Sequence, residues 1–153
     1  MWLRSLVILS GILLAPALFA QDGMEETEPV LLTQTLIVDG LKGEEGLLCH
    51  FVYDETGEFP ANPATAIAAG CAPVTGSSMT ISLGLPAGEY AISLFQDVDM
   101  SGALEYDEAS GFPLEPIGFS NNPVLLGPPV FEDCALILDS ESPEINISLI
   151  SII

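Results

Sequence analysis

The sharpest chemical pattern in this 153-residue chain is the run Asp97-Val98-Asp99-Met100-Ser101-Gly102-Ala103-Leu104-Glu105-Tyr106-Asp107-Glu108. Its first, third and fifth positions carry side-chain oxygens, on Asp97, Asp99 and Ser101. Gly102 is sixth, where such a loop must turn sharply, and the Ala103 carbonyl is seventh. Glu105 follows at the ninth position and Glu108 at the twelfth. This is the spacing of a calcium loop, in which a hard cation gathers about six to eight oxygens. Alternating acids on a bending loop suit calcium better than a transition metal. Asp107 and Glu115 stand close enough in sequence to substitute as ligands. Five carboxylates in one short loop repel one another unless a cation offsets them. The plain alternative is an acidic turn that carries no ion.

No other constellation makes a comparable case. His50 is the single imidazole and lies in an apolar run, where it reads as a structural histidine rather than a base for Ser120 or a cysteine. Gly118-Phe119-Ser120-Asn121-Asn122 lacks the closing glycine of a nucleophile elbow. Asn121 and Asn122 instead suit a turn, where asparagine tolerates left-handed backbone and caps neighbouring groups. Scattered carboxylate pairs are the minimum for glycoside hydrolysis, but no cleft is evident to hold them, so a small hydrolase is the weakest reading. Asn146-Ile147-Ser148 matches a glycosylation acceptor within a strand-like segment and carries no weight. The expectation is a chain without catalytic activity.

The elements that must position the loop follow from composition and period. Against 22 Asp and Glu stand two Lys and Arg, a formal charge of −20. Neutralising nucleic-acid phosphates needs many bases, so a nucleic-acid partner is excluded, and docking on anionic lipid is disfavoured for the same reason. At 49% hydrophobic residues the chain has the means to build a core. Period-two runs bounded by Gly, Pro, Asn and Asp read as strands at 30–39, 47–54, 79–85, 89–96, 131–138 and 145–153. A helical period is visible only in the Ala-rich stretch 63–72. Segments 59–88 and 116–131 contain no charged residue and read as ordered loops lying against the strands. The fold expected is all-β, an antiparallel sandwich of about seven short strands.

The first residues form a separate object. Arg4, the apolar run from Leu6, Pro16 and the small residues up to Ala20 have the form of a signal peptide cleaved after Ala20. The apolar run is shorter than the roughly 20 residues of a spanning helix. Residues 1–20 are thus assigned to a signal peptide, 21–29 to a flexible acidic leader, and 30–153 to one sandwich domain without a membrane span. The localisation expected is periplasmic or secreted. After cleavage Lys42 is the one base left against all 22 acids, a balance tolerated best where salt screens it.

Three cysteines in an exported chain suggest one disulfide and one thiol. The pairs open are Cys49–Cys71, Cys49–Cys134 and Cys71–Cys134. The first is favoured, because it would staple the uncharged 59–78 stretch to a strand, while Cys134 sits in an apolar run as a buried thiol.

Gly88-Glu89-Tyr90-Ala91, Phe95-Gln96-Asp97, the acidic glycine loop, Gly111-Phe112-Pro113-Leu114-Glu115, Gly118 to Asn122 and Gly127-Pro128-Pro129-Val130-Phe131 follow one another in an order that resembles the exported bacterial family known as domain of unknown function 2141. The resemblance spans about Leu36 to Leu149. It implies a signal peptide followed by one compact immunoglobulin-like or prealbumin-like β-sandwich, and no assigned activity. The family loop opens on a histidine that is Gln96 here, which removes a metal or proton-transfer role for that position; family asparagines are replaced at Asp99 and Ser101.

These readings converge on an exported, monomeric, non-enzymatic sandwich with a structural calcium ion on Asp97, Asp99, Ser101, Ala103, Glu105 and Glu108. Phe112, Phe119 and Phe131 are expected to anchor the 111–129 segment in the core. The alternative is a binding module for an envelope carbohydrate or protein, using Phe112, Asn121 and Asn122; exposed aromatics would favour it and buried ones the structural role.

Overall fold

A computed structural model describes residues 28–141 and 144–153. The expected signal peptide and all but the last two residues of the 21–29 leader lie outside the described residues. Alternation dictates most of the rest. In β1 (Leu32–Asp39) the chain buries Gln34, Leu36 and Val38 and turns the residues between them outward. In the same way β4 (Ser78–Leu85) and β8 (Glu144–Ser148) turn alternate apolar residues inward. The order β4-β1-β8 makes a three-stranded sheet.

The second sheet runs β3-β2-β5-β6, from β2 (Leu47–Tyr53), β3 (Ala68–Pro73), β5 (Gly88–Asp97) and β6 (Ile117–Phe119), with β7 (Leu136–Leu138) paired to the start of β5. Two cores result. Leu36, Val38, Leu83 and Ile147 from the first sheet meet Leu48, Val52, Ile92 and Leu94 from the second. On the second sheet's outer face, Cys49, Phe95, Ile117 and Phe119 are covered by Phe59, Leu104, Leu125 and Phe131. Strand β5 is therefore buried on both faces, and each fully buried Leu or Ile contributes about 1.5–3 kcal/mol.

The all-β sandwich expected from the sequence is observed, with four departures. Among the described residues there are eight strands, since β3 and β6 lie in segments read as loops. β1 and β8 pair in parallel, a direction that side-chain period does not encode. Residues 131–138 are not one strand: Phe131–Cys134 form a helical turn, α1, whose first turn carries Glu132 and Asp133 near its positive end, and only Leu136–Leu138 pair. Nor are residues 63–72 helical beyond a single 3-10 turn, Pro63–Thr65, capped by Asn62. Ala68–Pro73 become a strand instead, because Cys71 faces Cys49 across the β2–β3 ladder and is bonded to it. The favoured disulfide is thus present, as a strand-to-strand staple, and Cys134 is a buried thiol.

Candidate metal centre

Strand β5 delivers Asp97 as its last residue, and Asp97 is fully buried. Two neighbours hold it there. Gly46, at φ +81°, packs against the Asp97 backbone so closely that a Cβ would lie 2.1 Å from the Asp97 carbonyl oxygen, so no larger residue fits. Gln96, also fully buried, accepts the Lys42 N–H at 2.7 Å and donates to the carbonyls of Lys42 and Glu45 at 2.9 Å each. Gln96 thereby clamps the 42–46 turn onto the end of β5. That role was not read from the sequence, where a lone Gln has no pattern.

Beyond Asp97 the chain curls around the carboxylate. Oδ1 of Asp97 accepts the Ser101 N–H and Oδ2 the Gly102 N–H, each at 2.9 Å. Oδ1 of Asp99 also accepts the Ser101 N–H, at 3.0 Å. The left-handed backbone of Met100 (φ 59°) and Gly102 (φ 84°) makes this curl possible. Glu115 enters from the far side of the loop: its Oε1 accepts the Val98 N–H at 2.9 Å. Only 7% of Glu115 is exposed, and its buried Oε2 has no hydrogen-bonding partner. Burial pushes the Glu115 carboxyl above the usual carboxylate range, the backbone amides of Val98 and Glu105 oppose that shift, and the charges of Asp97 and Asp99 add to it.

One carboxylate oxygen from each of Asp97, Asp99 and Glu115 lies within 4.8 Å of the others. Of the six ligands expected from the loop pattern, Asp97 and Asp99 are in this group, and Glu115, expected only as a substitute, is its third member. Ser101 Oγ donates to the Ala103 carbonyl at 3.0 Å, so those two oxygens meet each other. Glu105 and Glu108 sit aside with Tyr106, Asp107 and Leu114, lining a shallow open hollow. There the chain doubles back: Leu114 N–H donates to the Glu105 carbonyl and Asp107 N–H to the Phe112 carbonyl, at 3.0 and 2.8 Å. The Asp107 carboxylate accepts the Ser110 hydroxyl and N–H at 2.7 Å each, and these bonds hold its pKa below the ordinary value.

The chemistry available to the triad is that of hard oxygen donors. A buried carboxylate oxygen without a donor is costly unless a cation or proton meets it, and an all-carboxylate set selects calcium or magnesium over softer metals. Elsewhere the Ser120 hydroxyl is committed to the backbone. Ser120 Oγ accepts the Ile92 N–H at 2.8 Å and donates to the Cys134 carbonyl at 2.5 Å. Burial pushes the Cys134 thiol up to about 11. His50 lies over Gly70, its Nδ1 buried without a partner, and burial lowers its pKa.

Asn121 and Asn122 adopt the left-handed backbone expected of them. Their side chains cap backbone groups: Asn121 donates to the Ala135 carbonyl, and Asn122 bonds the Asn146 carbonyl and the Ser148 N–H. Of the three expected anchors, Phe119 is buried and Phe131 packs half-buried on Phe59. Phe112 is not an anchor: it is 50% exposed, because the hairpin formed by 105–107 and 112–114 carries it away from the sheet.

The family model described as "Uncharacterized protein conserved in bacteria (DUF2141)" matches residues 36–146. Neither a curated protein nor a solved structure matches the chain.

Proposed function

The chain belongs to the bacterial family DUF2141, whose description assigns no activity, and from that premise we propose an exported, non-catalytic sandwich protein with a structural calcium site. The ion binds the carboxylates of Asp97, Asp99 and Glu115, and the rest of its coordination comes from Ser101, Ala103, Glu105, Glu108 or water. The observation that carries this reading is the buried Glu115 carboxylate, whose Oε2 has no hydrogen-bonding partner and which has an oxygen within 4.8 Å of those of Asp97 and Asp99. Calcium there ties the end of β5 to the residue that leads into β6, and so holds the hairpin and the 116–131 cover against the second sheet. A loop between strands, with no helix pair to open, suits a structural rather than a sensing ion. Export is supported by the signal-like first 20 residues and by the Cys49–Cys71 disulfide, which persists in oxidising compartments.

The test is thermal unfolding of the processed chain in chelator, in calcium and in magnesium, with calorimetric titration alongside. At a hundredfold excess over Kd, binding to the folded state adds about 2.7 kcal/mol and raises the midpoint by several degrees. An unchanged midpoint together with no heat of binding overturns the proposal.

A second reading, a binding module for an envelope carbohydrate or protein, draws on the exposure of Phe112 beside Tyr106 and Leu114. It no longer draws on Asn121 and Asn122, whose side chains are engaged internally. Phe112→Ala separates the two readings: it weakens retention on an envelope fraction only if the second holds, and leaves the calcium response intact under the first.

A further inference from the structure

The four outer strands of the two sheets are not finished alike. On one side the sandwich is closed: Ile117 of β6 and Ile150, just beyond β8, exchange backbone hydrogen bonds at 3.0 and 2.8 Å, and Asn122 grips Asn146 and Ser148 from the same side. At the opposite side, β3 is short, ends on Pro73 and is stapled by its disulfide. Strand β4 has none of these protections. Its eight residues pair with β1 in an unbroken antiparallel register from Ser78 to Leu85, without a bulge. Among the described residues its other edge has no neighbour. In an antiparallel strand alternate residues aim N–H and C=O away from the existing partner, so β4 presents a row of unpaired backbone groups. Natural edges are blunted by charge, proline, bulges or brevity, and β4 contains no charge and no proline. Its inward side chains Met79 and Ile81 pack against the inter-sheet core but are only half-buried.

From this we infer that β4 is an interface for a second copy of this chain, the two β4 strands pairing antiparallel about a twofold axis. The backbone row fixes the occupant as an extended strand, and charge selects which. A chain of net −20 repels its own copies almost everywhere. Residues 59–88 carry no charge, so two β4 edges meet without setting carboxylate against carboxylate. A basic partner would find nothing on β4 to attract it. Such pairing joins two three-stranded sheets into one continuous sheet and gives an isologous contact that closes at the dimer. It extends Met79 and Ile81 into a covered row. The inference is independent of the calcium site, which lies at the end of the other sheet.

The experiment is sedimentation of the processed, disulfide-bonded chain over about 10–500 µM, in low and in roughly 1 M salt. A monomer–dimer equilibrium that tightens as salt screens the remaining charge is expected. Thr80→Pro and Ile81→Pro remove adjacent N–H groups that face opposite sides of β4, so one of them spares the β1 ladder. That variant stays folded and loses the dimer. Should both variants unfold, Thr80→Cys and Ser82→Cys decide, since mild oxidation cross-links copies only if β4 faces β4; Ser148→Cys on the closed side is the uncross-linked control. A monomer at every concentration and salt, a dimer that the folded proline variant retains, or cross-linking no greater than the control overturns the inference.

Discussion

Glu115 reaches across 17 residues of sequence to accept the Val98 N–H through Oε1 at 2.9 Å, and this bond sets its carboxylate beside that of Asp97. One oxygen is thereby fixed by the backbone and the other, Oε2, is left without a donor. The arrangement explains why three acids are tolerated in one place in a protein already rich in them. Two hold the loop's own amides, and the third is held by the loop. What remains is a set of carboxylate oxygens within 4.8 Å of one another, the donor type that a hard cation takes.

Glu115→Gln separates the metal from the fold. Burial and the neighbouring acids raise the Glu115 pKa in the folded state. A raised folded pKa contributes stability below the unfolded value and loses it as pH rises through the folded one. At neutral pH without metal the ionised carboxylate is therefore a liability, and glutamine, which keeps the Oε1 acceptor for Val98, removes it. In chelator the variant should unfold at or above the wild-type midpoint, and it should not respond to calcium. Differential scanning calorimetry in both buffers checks this; a variant that still gains its full calcium shift would place the ion elsewhere.

Asp97→Ala should destabilise even without metal. It removes the only acceptor of the Gly102 amide and one of the two acceptors of the Ser101 amide, and a hydrogen bond to a charged group is worth about 1.5–3 kcal/mol. Asp97→Asn keeps one acceptor oxygen and should fall between. Urea unfolding in chelator measures both without any contribution from the ion, and equal stability of the two variants would count against this role for the carboxylate.

The same loop shows how far the sequence could be read. That Asp97 and Asp99 lie together was legible, because donor spacing is a local property. That Glu115 joins them in the carboxylate cluster was not, because it depends on where the chain returns after the Tyr106–Pro113 bridge. Strands with apolar alternation, such as β4 and β5, declared themselves. Ala68–Pro73 did not: Ala-Ala-Gly-Cys-Ala-Pro has little β-propensity of its own, and it is a strand because β2 and the disulfide hold it there. The parallel pairing of β1 with β8 is likewise tertiary. Gln96 carries no motif, yet its amide, fully buried, satisfies three backbone groups of the 42–46 turn.

His50 should leave a signature in the acid limb of the stability profile. Burial lowers its pKa from the ordinary 6.5, so the folded state favours the neutral ring while the unfolded state takes up the proton first. Stability tied to the neutral ring is fully present above 6.5 and is lost as pH falls from there toward the folded pKa. In His50→Gln that loss is absent. The wild-type advantage over the variant should therefore shrink steadily as pH is lowered from about 7.5 to 5, measured by urea unfolding in chelator. Parallel profiles would mean that the ring titrates alike in both states.

Removing the disulfide should act on β3 first. Cys49 and Cys71 are 22 residues apart, and closing a loop of that size contributes about 3 kcal/mol through the unfolded chain. The paired Cys49→Ala and Cys71→Ala change should thus lower global stability by about that amount. A second effect follows from composition. With small side chains on both faces, β3 gains little from packing, and its ladder to β2 lies at the sheet edge. Without the staple this ladder should open locally at a free energy well below that of global unfolding. Hydrogen exchange then speeds up at residues 68–73 far more than in β5, whose amides stay protected to the global limit. Uniform acceleration across β2, β3 and β5 would show instead that the sheet opens as one unit and that the staple acts only through the unfolded state.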